Sequence, residues 1–220
     1  MSFKVINELP QHTNLDSIKR SLLWCETGFR GRVDTIIENC RFFGCLTKDV
    51  YDILMMDNID DFFCLVEKSR AIRYLSLAYK YMSKEDCAKA LINVWERVDN
   101  VNSHHVLSKG QFVKMFKLCD HEDLMEEDEL EYFKRLPEEI TVYRGLEPVS
   151  NNVKALSWTL SYKTADWFAN RFTKAGVYKT PGSVYQASIH KEHVFAYING
   201  RHESEIVLDY NYLTDIHKVG

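Results

Sequence analysis

Apolar residues recur at helical spacing through the first 135 positions, and the period then switches to that of strands. Over residues 14–26, Leu15, Ile18, Leu22 and Leu23 share one helical face, and Gly28 follows as a stop. Residues 47–56 and 59–82 predict two more helices. The longer one carries Phe62, Phe63, Leu65, Val66, Ile72, Leu75 and Leu77 as its core side. Ser83 and Asp86 form a capping box ahead of a helix over 87–98. Ser108 caps another over 112–118, and 125–135 closes the series. Beyond Pro137, residues 140–144, 155–159, 183–189, 193–198 and 204–210 read as short strands. One helix over 164–172 interrupts them and brings Trp167 and Phe168.

The pattern predicts an α+β protein with a helical region over 1–135 and a second region over 136–220. At 220 residues the chain is long enough to bury a sizeable core. Its composition is that of an ordinary globular protein, and the join at Leu136-Pro137 carries no low-complexity tether.

Charge changes this picture little. From Leu136 onward nine basic residues balance nine acidic ones, so the net charge of −4 lies in the helical region. The absence of a broad basic field argues against nonspecific nucleic-acid binding. Lys68, Arg70, Arg73, Lys80 and Lys84 around Tyr74, Tyr79 and Tyr81 read as a solvated helix face. The six cysteines Cys25, Cys40, Cys45, Cys64, Cys87 and Cys119 sit on apolar helical faces, as buried free thiols of a reducing compartment do. Cys40 and Cys45 lack a second ligand pair at zinc spacing, and His104, His105 and His121 read as solvated. Residues 57–61 lack the alternating ligands and Gly of a calcium loop. The expectation is no metal. With no signal pattern and no apolar run near 18 residues, the expected location is the cytoplasm, without membrane contact.

Three polar signals stand where strands are expected. Arg144 follows Val142 and Tyr143 and precedes Gly145; an Arg at a strand end grips phosphate or carboxylate with a planar fork. A glycine there lets a ligand approach the backbone closely. Ser157 and Thr159 flank Trp158 and share a strand face. Glu203 and Glu205 are two apart, so an extended backbone sets them on one side, roughly 7 Å apart along the strand. Paired carboxylates suit chemistry at a sugar C1 through an oxocarbenium-like state. Each signal alone also fits a bland role: a paired structural Arg, strand Ser/Thr packing, or a solvated charged loop.

In this order the three signals resemble the arginine-serine-glutamate class of mono-ADP-ribosyltransferases, over residues 140 to about 215. Phe168 and Arg171 agree as well, since the related actin-modifying binary toxins place a Phe about eleven residues after the motif serine and an Arg three further on. The bulky Trp158, and the lack of a basic residue directly after Arg144, depart from the pattern. The resemblance implies a mixed two-sheet (split β-sandwich) catalytic core with the helical part packed on it. It implies NAD as substrate, with Glu205 as catalytic glutamate and Glu203 on the acceptor side. Arg144 would hold the phosphate-ribose portion, the Gly145 backbone the carboxamide, and Ser157 would orient Glu205 with Thr159 in support. Phe168 would stack on nicotinamide, and Arg171 would clamp the pyrophosphate.

The expected activity is transfer of ADP-ribose to a macromolecule, foremost a protein arginine, by a monomer of toxin, effector or phage type. An antitoxin or inhibitor partner is compatible with such a role. ADP-ribosylation of nucleic acid, NAD hydrolysis and a non-catalytic protein-binding module stand as alternatives. No Rossmann or Walker glycine loop is present, so NAD would not sit at a βαβ switch point.

Overall fold

The computed structural model describes residues 83–97 and 107–220, together with Phe63, Ala71, Ile72, Leu75, Ser76 and Tyr79. The helices expected at 14–26 and 47–56, segment 57–61, the His104-His105 pair and four of the cysteines (Cys25, Cys40, Cys45 and Cys64) lie outside these residues. The chain divides into two compact units, Met1–Cys119 and Asp120–Gly220.

In the first unit, Phe63, Ile72 and Leu75 are helical and buried, on the core side that the apolar period assigns them. Helix α1 (Lys84–Arg97) starts directly after Ser83. The Ser83 hydroxyl accepts from the Asp86 N–H (3.1 Å) and donates to its carboxylate (2.8 Å). This cap starts the helix three residues before the apolar period does. Helix α2 (Lys109–Phe116) carries a full capping box between Ser108 and Gln111. Trp95 of α1 meets Phe112 and Phe116 of α2 edge-on at 5.7 and 5.3 Å, an arrangement that adds to area burial. Cys87 and Cys119 are buried.

The second unit opens with two short helices, α3 (His121–Leu124) and α4 (Glu127–Arg135). The sequence pattern joins part of this stretch into one helix; extended backbone at Met125 separates the two. Both therefore share a compact unit with the strands, whereas the sequence period groups them with the helical region. Then follow β1 (Glu139–Leu146), β2 (Ser157–Thr159), helix α5 (Tyr162–Lys174), β3 (Ser183–His190), β4 (Val194–Ile198), β5 (Glu205–Leu208) and β6 (Thr214–Lys218).

The described strands form one six-stranded sheet in the order β4-β5-β2-β1-β3-β6. The molecule is α+β, with every pairing antiparallel where a mixed arrangement was expected. Hydrogen bonds run through the whole sheet, so the expected two-sheet division does not appear as a gap in pairing. The narrowest joint is β1 to β2, held at the single register pair Tyr143–Thr159.

Of the two terminal strands, β4 is buried and β6 is open. All five β4 residues are buried although β4 is terminal in the order. Its outward polar groups bond to side chains of the α3–α4 segment. The Tyr197 N–H points to the Met125 sulfur (3.3 Å), the Asn199 N–H donates to Glu129 Oε1 (2.6 Å), and the Val194 carbonyl meets His121 Nε2 (3.2 Å). A covered edge cannot template pairing with another chain. At the other end, β6 covers β3, and the Val184 N–H donates to the Gly220 carbonyl (2.8 Å).

Helix α5 lies against β1 and β3, with Ala165 and Ala169 packed on Val184 and Tyr143. A Cβ on Gly145 would lie 1.9 Å from the Ala165 carbonyl oxygen. Gly182 is equally confined, its Cβ position 2.2 Å from the Ala169 oxygen. Gly145 on β1 and Gly182 just before β3 thus let one helix settle directly on the sheet.

Candidate functional site

The centre of the site is one row across the sheet. Register sets Tyr143 beside Thr159 and Thr159 beside Glu205, so these three side chains share a face. Trp158 points to the opposite face, fully buried, its indole N–H donating to the Ala155 carbonyl (2.9 Å). Its bulk fills the core and leaves the polar face to Ser157 and Thr159. The expected departure at this position is therefore structurally neutral for the site.

Glu205 begins β5 and is buried, while Glu203 is half-buried in the turn that precedes it. The two are not neighbours on an extended strand, as the sequence spacing predicts. Ser204 between them has φ 48° and His202 has φ 56°, left-handed conformations that non-glycine residues rarely adopt. The turn is pinned from three directions. Thr159 Oγ1 donates to the Glu203 carbonyl (2.6 Å), the Ser204 N–H donates to Asn199 Oδ1 (3.0 Å), and the Leu160 N–H donates to the Ser204 carbonyl (3.0 Å). The carboxylates are nevertheless brought together by a guanidinium. Arg201 Nη2 lies 3.2 Å from Glu203 Oε2 and 3.8 Å from Glu205 Oε2.

Arg144 stands where β1 runs on past β2. Its Nε donates to the Asn152 carbonyl (3.2 Å), and an Nη donates to the Ser157 carbonyl. The side chain thus buckles the segment between β1 and β2 onto the start of β2, and part of its fork serves backbone carbonyls. Burial pushes its pKa down to about 10, and the charge of Glu205 opposes that shift. The group stays protonated at neutral pH.

Two of the expected site residues have structural partners. Gly145 is explained by the close approach of α5, not by room for a ligand. Ser157 contributes its carbonyl to Arg144, and register sets it opposite Val207; the hydroxyl residue beside Glu205 is Thr159.

Phe168 and Arg171 form a second cluster, on α5. The Arg171 guanidinium carbon lies 5.3, 5.1 and 4.7 Å from the ring centroids of Trp167, Phe168 and Phe172. Its Nη2 is 3.6 Å from Glu147, just past β1. Its Nε is buried without a hydrogen-bond partner, an uncommon condition for a charged donor. Trp167 and Phe172 remain exposed.

Sequence reasoning missed Arg201, Glu147, Asn199 and Glu129. Asn199-Gly200 is a turn signal between two apolar runs and marks the place where Arg201 had to be sought. The other two are contacts across long sequence distances, with no local signature.

Among the described residues, no group of three or more His, Cys, Asp or Glu side chains is set to hold a metal ion. Among the same residues, no helix is long and apolar enough to cross a membrane. No family model, curated protein or solved structure matches the chain.

Proposed function

We propose that the chain is a mono-ADP-ribosyltransferase that cleaves NAD and passes ADP-ribose to an arginine of a protein acceptor. The observation that carries this reading is the guanidinium held within 4 Å of both Glu203 and Glu205. A pair of carboxylates that accommodates one guanidinium suits an acceptor arginine, and it lies beside the β2 strand that Arg144 anchors. The Arg171 guanidinium, partly exposed on the aromatic face of α5, supplies a charge of the kind a pyrophosphate takes. The left-handed Ser204 between the two glutamates adds support, because strained backbone concentrates at functional sites.

On this reading the buried Glu205 holds the nicotinamide-ribose 2′-hydroxyl and stabilises positive charge developing at C1′ as the nicotinamide bond breaks. Thr159 fixes the preceding turn, so Glu205 is preorganised before NAD arrives. Glu203, more accessible, takes the proton of the attacking guanidinium. Phe168 offers a ring face to the nicotinamide, and Arg171 a charge to the phosphates. The narrow β1–β2 joint, with Arg144 across it, is the place where a split into two sheets would begin.

Labelled NAD incubated with the protein and a cell lysate tests the reading. Label on lysate protein, sensitive to arginine-directed chemistry, is the expected result. Label on nucleic acid would reassign the acceptor, free ADP-ribose alone would make the protein a hydrolase, and unchanged NAD would leave a binding module.

A further inference from the structure

We propose that Cys87 and Cys119 form an oxidation-sensitive pair, which a peroxide closes into a disulfide between α1 and the turn after α2. The pair lies wholly in the unit Met1–Cys119 and does not depend on the transferase reading. Its basis is packing. Along α1 the buried residues Cys87, Leu91, Val94 and Trp95 form one stripe. Trp95 meets Phe112 and Phe116, so this stripe is the face that α1 turns to α2. Cys87 lies on it about two helical turns before Trp95. Cys119 sits on the turn that ends α2, where its N–H donates to the Phe116 carbonyl (3.1 Å). The two thiols meet there, joined by a side-chain hydrogen bond.

Their setting favours reaction over inert packing. A thiol buried in purely apolar surroundings is pushed up in pKa and loses reactivity. Cys87 goes the other way: the hydrogen bond with Cys119 lowers its pKa, against burial and the charge of Asp86. Cys87 also sits in the first turn of α1, its N–H donating to the Ser83 carbonyl (3.0 Å), where the helix dipole favours a thiolate. The second sulfur is held as well, since the Cys119 thiol donates to the Met115 carbonyl (3.4 Å). Cys87 is 2% exposed and Cys119 9%, so bulky thiol reagents are kept out and a small peroxide is the fitting oxidant.

The step balances with hydrogen peroxide as the oxidant. The Cys87 thiolate attacks one peroxide oxygen, the O–O bond breaks, and hydroxide leaves with the electron pair. Cys87 is then a sulfenic acid. The Cys119 thiolate displaces hydroxide from that sulfur and forms the S–S bond. Two thiols and one hydrogen peroxide thus become one disulfide and two waters, the sulfurs oxidised and the peroxide reduced. The bond clamps the first turn of α1 to the end of α2 and restricts the unfolded chain, so the oxidised protein is the more stable form.

Purified full-length protein, reduced and desalted, is treated with hydrogen peroxide, unfolded, alkylated and mapped by mass spectrometry without further reduction. The expected product is one peptide pair joined through Cys87 and Cys119, reopened by dithiothreitol. Its formation should be at least about tenfold slower in urea-unfolded protein, where nothing positions the sulfurs. The melting temperature should rise by about 4 °C or more on oxidation and fall back on reduction. Cys119→Ser should stop Cys87 at a sulfenic acid that dimedone traps. Where that substitution unfolds the protein, the wild-type map and its loss in urea still decide. Both cysteines recovered as alkylated thiols, Cys87 joined to another of the six cysteines, or Cys87 carried to a sulfinic acid beside an intact Cys119 overturns the proposal. A linkage that forms equally fast in urea, or one without a gain in melting temperature, overturns it too.

Discussion

Glu205 and Glu203 differ in setting more than in chemistry, and the difference predicts separable roles. Glu205 is buried at the head of β5, in a sheet row with Thr159 and Tyr143. Glu203 hangs from a strained turn and is partly open to solvent. Glu205→Gln keeps the shape and removes the charge, so nicotinamide release should fall by about 10²–10³, the usual effect of deleting one preorganised electrostatic group. Glu203→Gln should leave nicotinamide release within a few-fold while transfer to protein is lost. Normal transfer by Glu203→Gln, measured with labelled NAD, would remove the acceptor role. Arg144 allows a pH argument. Its folded pKa, about 10, is below its ordinary value, so the folded state gives up this proton first. The charged form therefore counts against the fold at neutral pH, and that cost fades as pH rises through the folded value. Between about pH 6 and about pH 8.5 the group does not titrate, so the difference in unfolding free energy between wild type and Arg144→Gln should stay flat. A slope in denaturant titrations across that window would contradict a permanently charged clamp.

Elements position these residues, and here the limits of sequence reading have physical causes. The strands β1 and β3 were legible because their partial apolar alternation reflects one buried face, and β4 and β5 because each is a short apolar run buried throughout. The edge strand β6 was not: it buries no residue, and Asp215 within it has φ 52°, so no alternation marks it. The order of Arg144, Ser157 and Glu205 pointed to one region of the sheet, but side-chain partners did not follow from it. Spacing assumed an extended chain through Glu203, and the left-handed Ser204 broke that assumption. Gly145 was expected to admit a ligand to the backbone, and the body that approaches it in the structure is α5. Gly145→Ala forces the new methyl against backbone, which cannot swing aside as a side chain can. The expected cost is about 3 kcal/mol or more, read as a lower denaturant midpoint. A second element-level coupling runs through Glu129. Its Oε1 accepts from the Asn199 N–H, and Asn199 Oδ1 accepts from the Ser204 N–H. Glu129→Ala leaves the Asn199 donor unpaired, at a cost of about 1–3 kcal/mol. Amides of the 199–204 turn should then exchange faster in hydrogen-exchange mass spectrometry, and unchanged protection there would mean that α4 does not brace the turn.

At the scale of the whole molecule, the residues read as a site all belong to the unit Asp120–Gly220. Within that unit, the row from Tyr143 through Thr159 to Glu205 occupies the interior strands β1, β2 and β5. Interior strands are paired on both sides, so their side chains are held more firmly than those of an edge. The two ends of the sheet are built differently. β4 is covered by side chains of α3 and α4, whereas β3 depends on β6 and on the backbone bonds of Val184 with Val219 and Gly220. Stability and chemistry should therefore separate under truncation. Removing residues 214–220 uncovers β3, which carries Val184 under α5, but leaves β2, β5 and their turn with all their own bonds. The expected outcome is a lower melting temperature and faster amide exchange along β3. Nicotinamide release per folded molecule at low temperature should change less than about tenfold, since the hydrogen bonds of the row are untouched. The opposite pattern, unchanged melting with lost turnover, would place the reacting groups near β6 and not around Glu205.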